Sequence, residues 1–358
     1  MQQLTETQQW LLFSAVKIAV VFGVVMFFVA YAVLVERKVS AFIQDRVGPN
    51  RTVPPFIDAI PVLGRFLKRL GIFQPMADGL KFLLKEDFTP DYVRKVYFWL
   101  APAITAIPAF LTLAVIPFGS QLGRQPMVIA DLNVGILYTF GIVSLGVYGI
   151  VLAGWASNSK YPFLGGIRSS AQLISYEIAM GMSVVPVFML VGDLNLSKVI
   201  AYQSGSAFDW MLFKQPIAFA IFMVAAFAET NRLPFDLPES ETELVGGYHT
   251  EYSSMKFALF FLGEYANMIA SSAMMVTLFL GGWTPLWGGT PASTIWGGLV
   301  HIGWFLAKMI ALMVVFIWVR WMLPRFRYDQ LMDLGWRVFI PMALVNILIT
   351  AVVLFIRH

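Results

Sequence analysis

Three glutamates sit where a lipid-facing helix should hold none. Glu177, Glu229 and Glu264 lie within or at the end of long apolar runs. An ionisable group inside a membrane span costs about 2.5–3.5 kcal/mol on insertion scales, so each is a candidate for function. A carboxyl group withdrawn from water can hold a proton near neutral pH and hand it on, so a series of them suits proton transfer. None has a Lys or Arg one helical turn away on its own run. Each therefore needs water, another acid, or a cation brought by another helix.

The densest polar stretch is AETNRLPFDLPESETELVGGYHTEY, residues 228–252. Glu229, Asp236, Glu239, Glu241, Glu243 and Glu251 face only Arg232 there. Acids this crowded repel one another unless cations arrive from elsewhere or some keep their protons. A solvated acidic loop would account for the charges alone. Leu233, Pro234, Phe235, Leu237, Pro238, Leu244 and Val245 point instead to a folded, partly buried loop whose carboxylates share protons and titrate together.

Other chemistries are poorly served. The chain has no Cys, which rules out disulfides, thiolate metal sites and Cys-ligated iron–sulfur clusters. Its three His, at 249, 301 and 358, are too scattered for a ligand pair, so no metal or haem is expected. Lys17 and Lys308 also fall in apolar runs. Lys17 is near enough to an end to snorkel. Lys308 lies deeper, where a buried carboxylate partner and snorkelling are equally open.

The elements that position these groups follow from composition. Of 358 residues, 58% are hydrophobic and 13% charged, and the mean hydropathy is +0.73. That is too apolar for a water-soluble skin. Crossing the bilayer takes about 20 apolar residues, and eight runs qualify: 10–35, 97–119, 134–156, 171–191, 215–230, 254–281, 299–322 and 335–356. The fold expected is an all-α integral membrane protein with about eight transmembrane helices, forming one domain over 1–358. The first run is too long for a signal-peptide core and lacks a basic leader, so it stays as a helix. Sixteen Lys and Arg fall in the loops after runs one, three, five and seven, against four on the other side. The basic loops therefore face the cytoplasm, with both termini periplasmic in a bacterium. The long loop 36–95 carries a basic amphipathic pattern (Phe56, Ile60, Leu63, Leu67 and Leu70, with Arg65, Lys68 and Arg69 between) and a second short helix after Pro75 with Met76, Leu80, Leu83 and Leu84 on one stripe. Such helices suit either lipid headgroups or partner subunits. Ser169 with Gln172 fits a capping box opening the fourth span. The acidic loop spans 229–253.

The loop motifs carry a resemblance. ERKVSAFIQDRVGPNR, QPMADGLK, GWASNSKYPFLGGIRSSAQLISYE, AETNRLPFDLPESETELVGGYHTEY and PRFRYDQLM, in this order and over nearly the whole chain, look like the H-subunit family of bacterial NADH:quinone oxidoreductase, which includes mitochondrial NADH dehydrogenase subunit 1. The resemblance implies a membrane subunit of respiratory complex I at the joint of its two arms. Such a subunit forms much of the quinone chamber and begins the polar axis for proton pumping. Quinone is then the substrate. The chain holds no redox centre, and iron–sulfur clusters and flavin belong to partner subunits. The partners implied are the quinone-site subunits of the peripheral arm and the adjacent membrane-arm subunits, in the cell inner membrane. By motif, Arg37, with Glu36 beside it, and Asp78 line the chamber, with Arg320 and Arg325 supplying facing positive charge. Glu177, Glu229 and Glu264 match the carboxylate path, and Glu239, Glu241 and Glu243 the acidic loop joining chamber to path. The stretch from Thr52 to Phe73 is roughly a dozen residues longer than the compact family pattern. The third span offers no carboxylate, so a proton route past it needs water, Ser144, Tyr148 or another subunit.

Other readings fit parts of the pattern. The same subunit type could serve a membrane-bound hydrogenase or a dehydrogenase fed by a reduced deazaflavin. Buried acids would also suit a stand-alone cation/proton antiporter, but many of these show repeated halves, and no internal repeat is evident. A purely structural anchor would tolerate neutral substitutions at Arg37, Asp78 and Glu264.

Overall fold

A computed structural model describes residues 6–58, 61–123, 125–238, 245–292 and 294–357. The helices run in chain order as α1 (Glu6–Ile43), α2 (Pro55–Asp58), α3 (Pro61–Leu70), α4 (Gln74–Leu84), α5 (Lys95–Thr112), α6 (Gly135–Ala156), α7 (Lys160–Val191), α8 (Leu196–Tyr202), α9 (Met211–Lys214), α10 (Pro216–Glu229), α11 (Ser254–Phe279), α12 (Ile295–Met322), α13 (Tyr328–Asp333) and α14 (Ile340–Arg357). A small hairpin pairs β1 (Gln121–Leu122) with β2 (Gln125–Pro126). Among the described residues, seven helices are long and apolar enough to cross a membrane, the last running from Tyr328 to Arg357 through a π-helical stretch at Leu334–Phe339. The eighth candidate, α10, has 14 residues. At 1.5 Å per residue it covers about 21 Å, short of the roughly 30 Å of hydrocarbon. It ends inside the bundle, and that is how the following loop comes to be buried.

The packing is that of a membrane bundle, with large apolar side chains both inside and on the periphery. In α11, 67% of the apolar window is enclosed by the protein, against 22% in α1. So α11 is the central post and α1 an outer wall. α6 packs between α5 and α7, α10 lies against α7, and α11 lies against α5. Small residues permit the closest approaches: a Cβ on Gly149 of α6 would stand 2.6 Å from the backbone nitrogen of Thr105 on α5. Pro102, Pro108 and Pro186 sit inside helices, which neighbouring helices make tolerable in apolar surroundings.

Two boundaries differ from the sequence expectation. α1 runs on to Ile43, so Glu36, Arg37 and the rest of ERKVSAFI are helical rather than the start of a loop. No Gly or Pro interrupts the stretch from Glu36 to Gly48, and Glu36 has buried partners that make an inward charge bearable. The Ser169–Gln172 pattern does not open a helix, because α7 already begins at Lys160. Pro162 falls in its first turn, where its missing N–H leaves no bond unmade. Gly166 serves close packing against Gly154 of α6 and does not break the helix. In the long loop, Phe56 of the amphipathic pattern falls in α2 and Leu63, Leu67 and Leu70 in α3, while Ile60 lies outside the described residues. The stripe after Pro75 forms α4, with Met76, Leu80, Leu83 and Leu84 all exposed.

Candidate functional site

The loop after α10 is turned inward by its own backbone. Asn231 adopts a left-handed conformation (φ 51°), which Asn tolerates better than most residues. The Arg232 amide then bonds back to the Phe227 carbonyl at 3.2 Å, and the Phe235 amide to the Arg232 carbonyl at 2.8 Å. Gln172, buried on α7, fastens this turn from the other side. Its Nε2 donates to the carbonyls of Ala228 and Phe235, each at 2.8 Å.

The result is an Arg232 side chain only 2% exposed. Its Nη1 donates to Glu36 Oε2 of α1 at 2.8 Å, and its Nε lies 2.5 Å from Glu264 Oε1 of α11 as an ion pair. Its guanidinium stands 4.2 Å above the Tyr265 ring, a cation–π contact. Glu36 accepts twice more, from the Tyr265 hydroxyl at 2.6 Å and from Arg320 Nη1 of α12 at 2.5 Å. Four distant segments of chain thus meet at one buried charge cluster. Arg325 Nη2 adds a neighbouring pair, donating to Asp236 Oδ2 at 2.9 Å. Burial pushes the Asp236 carboxyl up to about 6, with Arg325 pulling it down and the like charge of Glu264 pushing it further up. Glu36, Asp236 and Glu264 balance Arg232, Arg320 and Arg325, so the cluster is neutral when all are ionised. One of the missing cations of the acidic loop is found here: Arg325, from the segment after α12, pairs with Asp236.

Arg37 points elsewhere. On a helix the next residue turns by about 100°, so while Glu36 faces the core, Arg37 is 45% exposed and pairs with Asp78 of α4 at 2.8 Å. Arg37 and Asp78 thus meet directly, whereas Glu36 is Arg37's neighbour in chain only. Gln74 Nε2 donates to the other Asp78 oxygen at 2.9 Å and Thr52 Oγ1 to Gln74 Oε1 at 2.5 Å.

Beyond the cluster the acids continue inward. Glu229, the last residue of α10, is 7% exposed, and its Oε2 has no hydrogen-bond partner among the described residues. Two small cavities touch it. One of about 20 Å³ is also lined by Glu264, Asn267, Thr105 and Tyr248. One of about 30 Å³ is also lined by Asn267, Thr112, Thr139 and Ser271. Each can hold a water molecule, given the roughly 10–15 Å³ one requires and the polar groups present. Glu264 and Glu229 thus share one water-sized cavity. Glu177, partly buried on α7, is near enough for its charge to act on Glu229. Glu239, Glu241 and Glu243 lie outside the described residues.

Several expectations are corrected. Lys308 forms no ion pair with a carboxylate among the described residues, and it does not snorkel. Its ammonium donates to the carbonyls of Leu280 (2.6 Å), Gly282 (3.1 Å) and Thr284 (2.6 Å) and faces the Trp210 ring at 4.2 Å. The end of α11 leaves carbonyls without helical donors, and the lysine supplies them. Ser144 bonds its own helix at Gly141 and Tyr148 is 63% exposed. It is Val143, Gly146 and Val147 of α6 that line the cavity beside Glu264 and Glu229. Sequence reasoning missed Tyr265, Asn267, the buried role of Gln172 and the hub role of Arg232. For Arg232 the signal was present: a lone base in a run of acids with apolar neighbours.

Comparison with known proteins identifies the family of the chain. The sequence profile of the NADH dehydrogenase family matches residues 16–351. The chain is 51% identical over 345 residues to the NADH-quinone oxidoreductase H subunit 1 of Geobacter metallireducens, covering 95% of this chain and 96% of that protein. It is 51% identical over 343 residues to the H subunit 2 of Geobacter sulfurreducens, covering 94% and 95%. It is 46% identical over 351 residues to the H subunit 1 of Cytophaga hutchinsonii, covering 96% of each. At such identity over nearly its full length, this chain, an all-α membrane protein, belongs to the NADH dehydrogenase family alongside these oxidoreductase subunits.

Proposed function

We propose that this chain forms much of the quinone chamber of a proton-translocating NADH-quinone oxidoreductase, and that its buried carboxylates link quinone reduction to proton movement. The observation that carries the reading is that the buried Glu36–Arg232–Glu264 cluster shares a water-sized cavity with Glu229. The Arg37–Asp78 pair stands outside the cluster, one residue along α1 from Glu36. In this reading the subunit works in the inner membrane with its basic loops cytoplasmic, and the short α10 with the buried turn after it completes an eighth crossing, which leaves both termini periplasmic. Its partners are the quinone-site subunits of the peripheral arm and the neighbouring membrane-arm subunits.

The chain has no Cys to ligate an iron–sulfur cluster, so electrons reach the quinone from partner subunits that carry such clusters and flavin. The work of this chain is protonic. Reduction of a quinone to a quinol takes up protons and changes the charge beside Arg37 and Asp78. That change alters which carboxylates in the cluster stay ionised, because three acids balanced against three guanidiniums respond to any added charge. A proton lost or gained at Glu264 is then felt by Glu229 across the shared cavity, and by Glu177 after it. Coupling requires that oxidised and reduced quinone favour different protonation states of this series. The test is Glu229→Gln in the intact complex, reconstituted in proteoliposomes. A lowered proton-to-electron ratio is expected. An unchanged ratio together with an unchanged quinone reductase rate rejects the role of this carboxylate.

A further inference from the structure

At the end of the bundle away from the acidic loop, α1, α11, α12 and the stretch after α5 line an apolar cavity of about 460 Å³. Val21, Phe28, Ile116, Ile269, Phe305 and Met309 are among its walls, and the only polar lining residues described are Lys17 and Gln125. The outer wall is thin: Val16, Val20 and Val24 are 51%, 56% and 39% exposed. Most of its lining belongs to membrane-spanning helices. A void there forfeits dispersion contacts that a hydrocarbon chain would restore.

Lys17 is the informative residue. Its Nζ is held by the carbonyls of Val128 at 3.0 Å and Pro126 at 3.4 Å. An ammonium has three N–H groups, so one remains. Carbonyls offer dipoles but no countercharge. No carboxylate forms an ion pair with Lys17 among the described residues, although ten other pairs are formed. Lys17 lies six positions along α1 from Leu11, where the span begins, or about 9 Å along the axis. A cation short of an anion thus stands at the mouth of an apolar cavity, a headgroup's depth below the start of the span.

The geometry points to a phospholipid site, with one acyl chain in the cavity and the phosphate against the free N–H of Lys17. On the orientation proposed above, the lipid belongs to the periplasmic leaflet, opposite the quinone chamber. The Lys17 ammonium supplies the countercharge, and the chain fills the space between α1, α11 and α12.

The test uses the whole purified complex in nanodiscs containing phosphatidylglycerol with a photoreactive diazirine at the end of one acyl chain. Peptide mapping after irradiation should place the label on residues 13–28 and 299–309. Lys17→Met should reduce that labelling about tenfold, in keeping with loss of one charge-assisted hydrogen bond, with quinone reductase activity at the wild-type level. Val20→Trp, which fills the cavity from its exposed wall, should reduce it independently of Lys17, so the test does not hang on one variant assembling. Absence of label from these segments in the wild type would mean that a protein segment fills the cavity, and equal labelling in wild type and both variants would mean nonspecific contact. Either outcome overturns the proposal.

Discussion

Replacing Arg232 with Met should disable the complex by charge imbalance, and the size of the effect can be worked out. Arg232 is 2% exposed and Glu264 16% exposed, so solvent screens the pair little. Without the guanidinium, Glu36 keeps Arg320 and the Tyr265 hydroxyl, whereas Glu264 loses its one ion pair among the described residues and keeps only the unpaired influence of Arg320. Removing one partner of a buried pair costs about 3–5 kcal/mol, a factor of roughly 10² to a few times 10³ in the folded population at 1.4 kcal/mol per decade. Assembled complex, measured on native gels and by thermal melting, should fall accordingly. Because the cost is an orphaned carboxylate, Arg232→Met combined with Glu264→Gln should recover most of the assembly. The double variant thereby separates charge from packing. Wild-type assembly and melting in Arg232→Met would refute the hub role. A double variant as damaged as the sum of both single changes would refute the charge explanation.

Two further outcomes follow from the same cluster. Tyr265→Phe keeps the ring beneath Arg232 but removes one hydrogen bond to a charged acceptor, worth about 1.5–3 kcal/mol, so the melting temperature of the complex should fall while assembly persists; an unchanged melt contradicts the 2.6 Å bond. Asp236 holds its proton up to about 6, whereas an ordinary aspartate loses it near 3.9. The folded protein thus binds a proton that the unfolded chain releases, and this group alone lowers stability as pH rises through that window. Above it Asp236 is charged and paired with Arg325. Quinone reductase activity that depends on that charge should drop as pH falls through about 6, and Asp236→Asn should abolish the step. A step that survives in the variant assigns it to another group.

Much of the architecture was legible because membrane spans announce themselves. Runs of about 20 apolar residues admit few other fates, and α5, α6, α11 and α12 fall close to the expected runs. The misreadings at α1 and α7 share one cause. Charged or small residues look like stops in a sequence, yet tertiary partners make them acceptable inside helices: Arg232 and Arg320 for Glu36, the backbone of α6 for Gly166. The candidate site was legible in its residue types and not in its pairings. Glu36, Arg37, Asp78, Glu229, Glu264, Arg320 and Arg325 all stand out by motif or by depth, but sequence gives no distance between residues 196 positions apart such as Glu36 and Arg232. Tyr265 and Asn267 carried no signal at all, since one polar group beside Glu264 on an otherwise apolar helix has no pattern to read.

The most direct test of the central claim is the infrared difference spectrum of the intact complex between oxidised and reduced quinone. The carboxyl C=O region reports protonation of buried acids. Reduction should produce bands there that disappear in Glu264→Gln and in Glu229→Gln while quinone still binds. A spectrum identical in wild type and both variants would mean that these carboxylates do not change protonation when the quinone does, and the proposed link between electron and proton movement would fail.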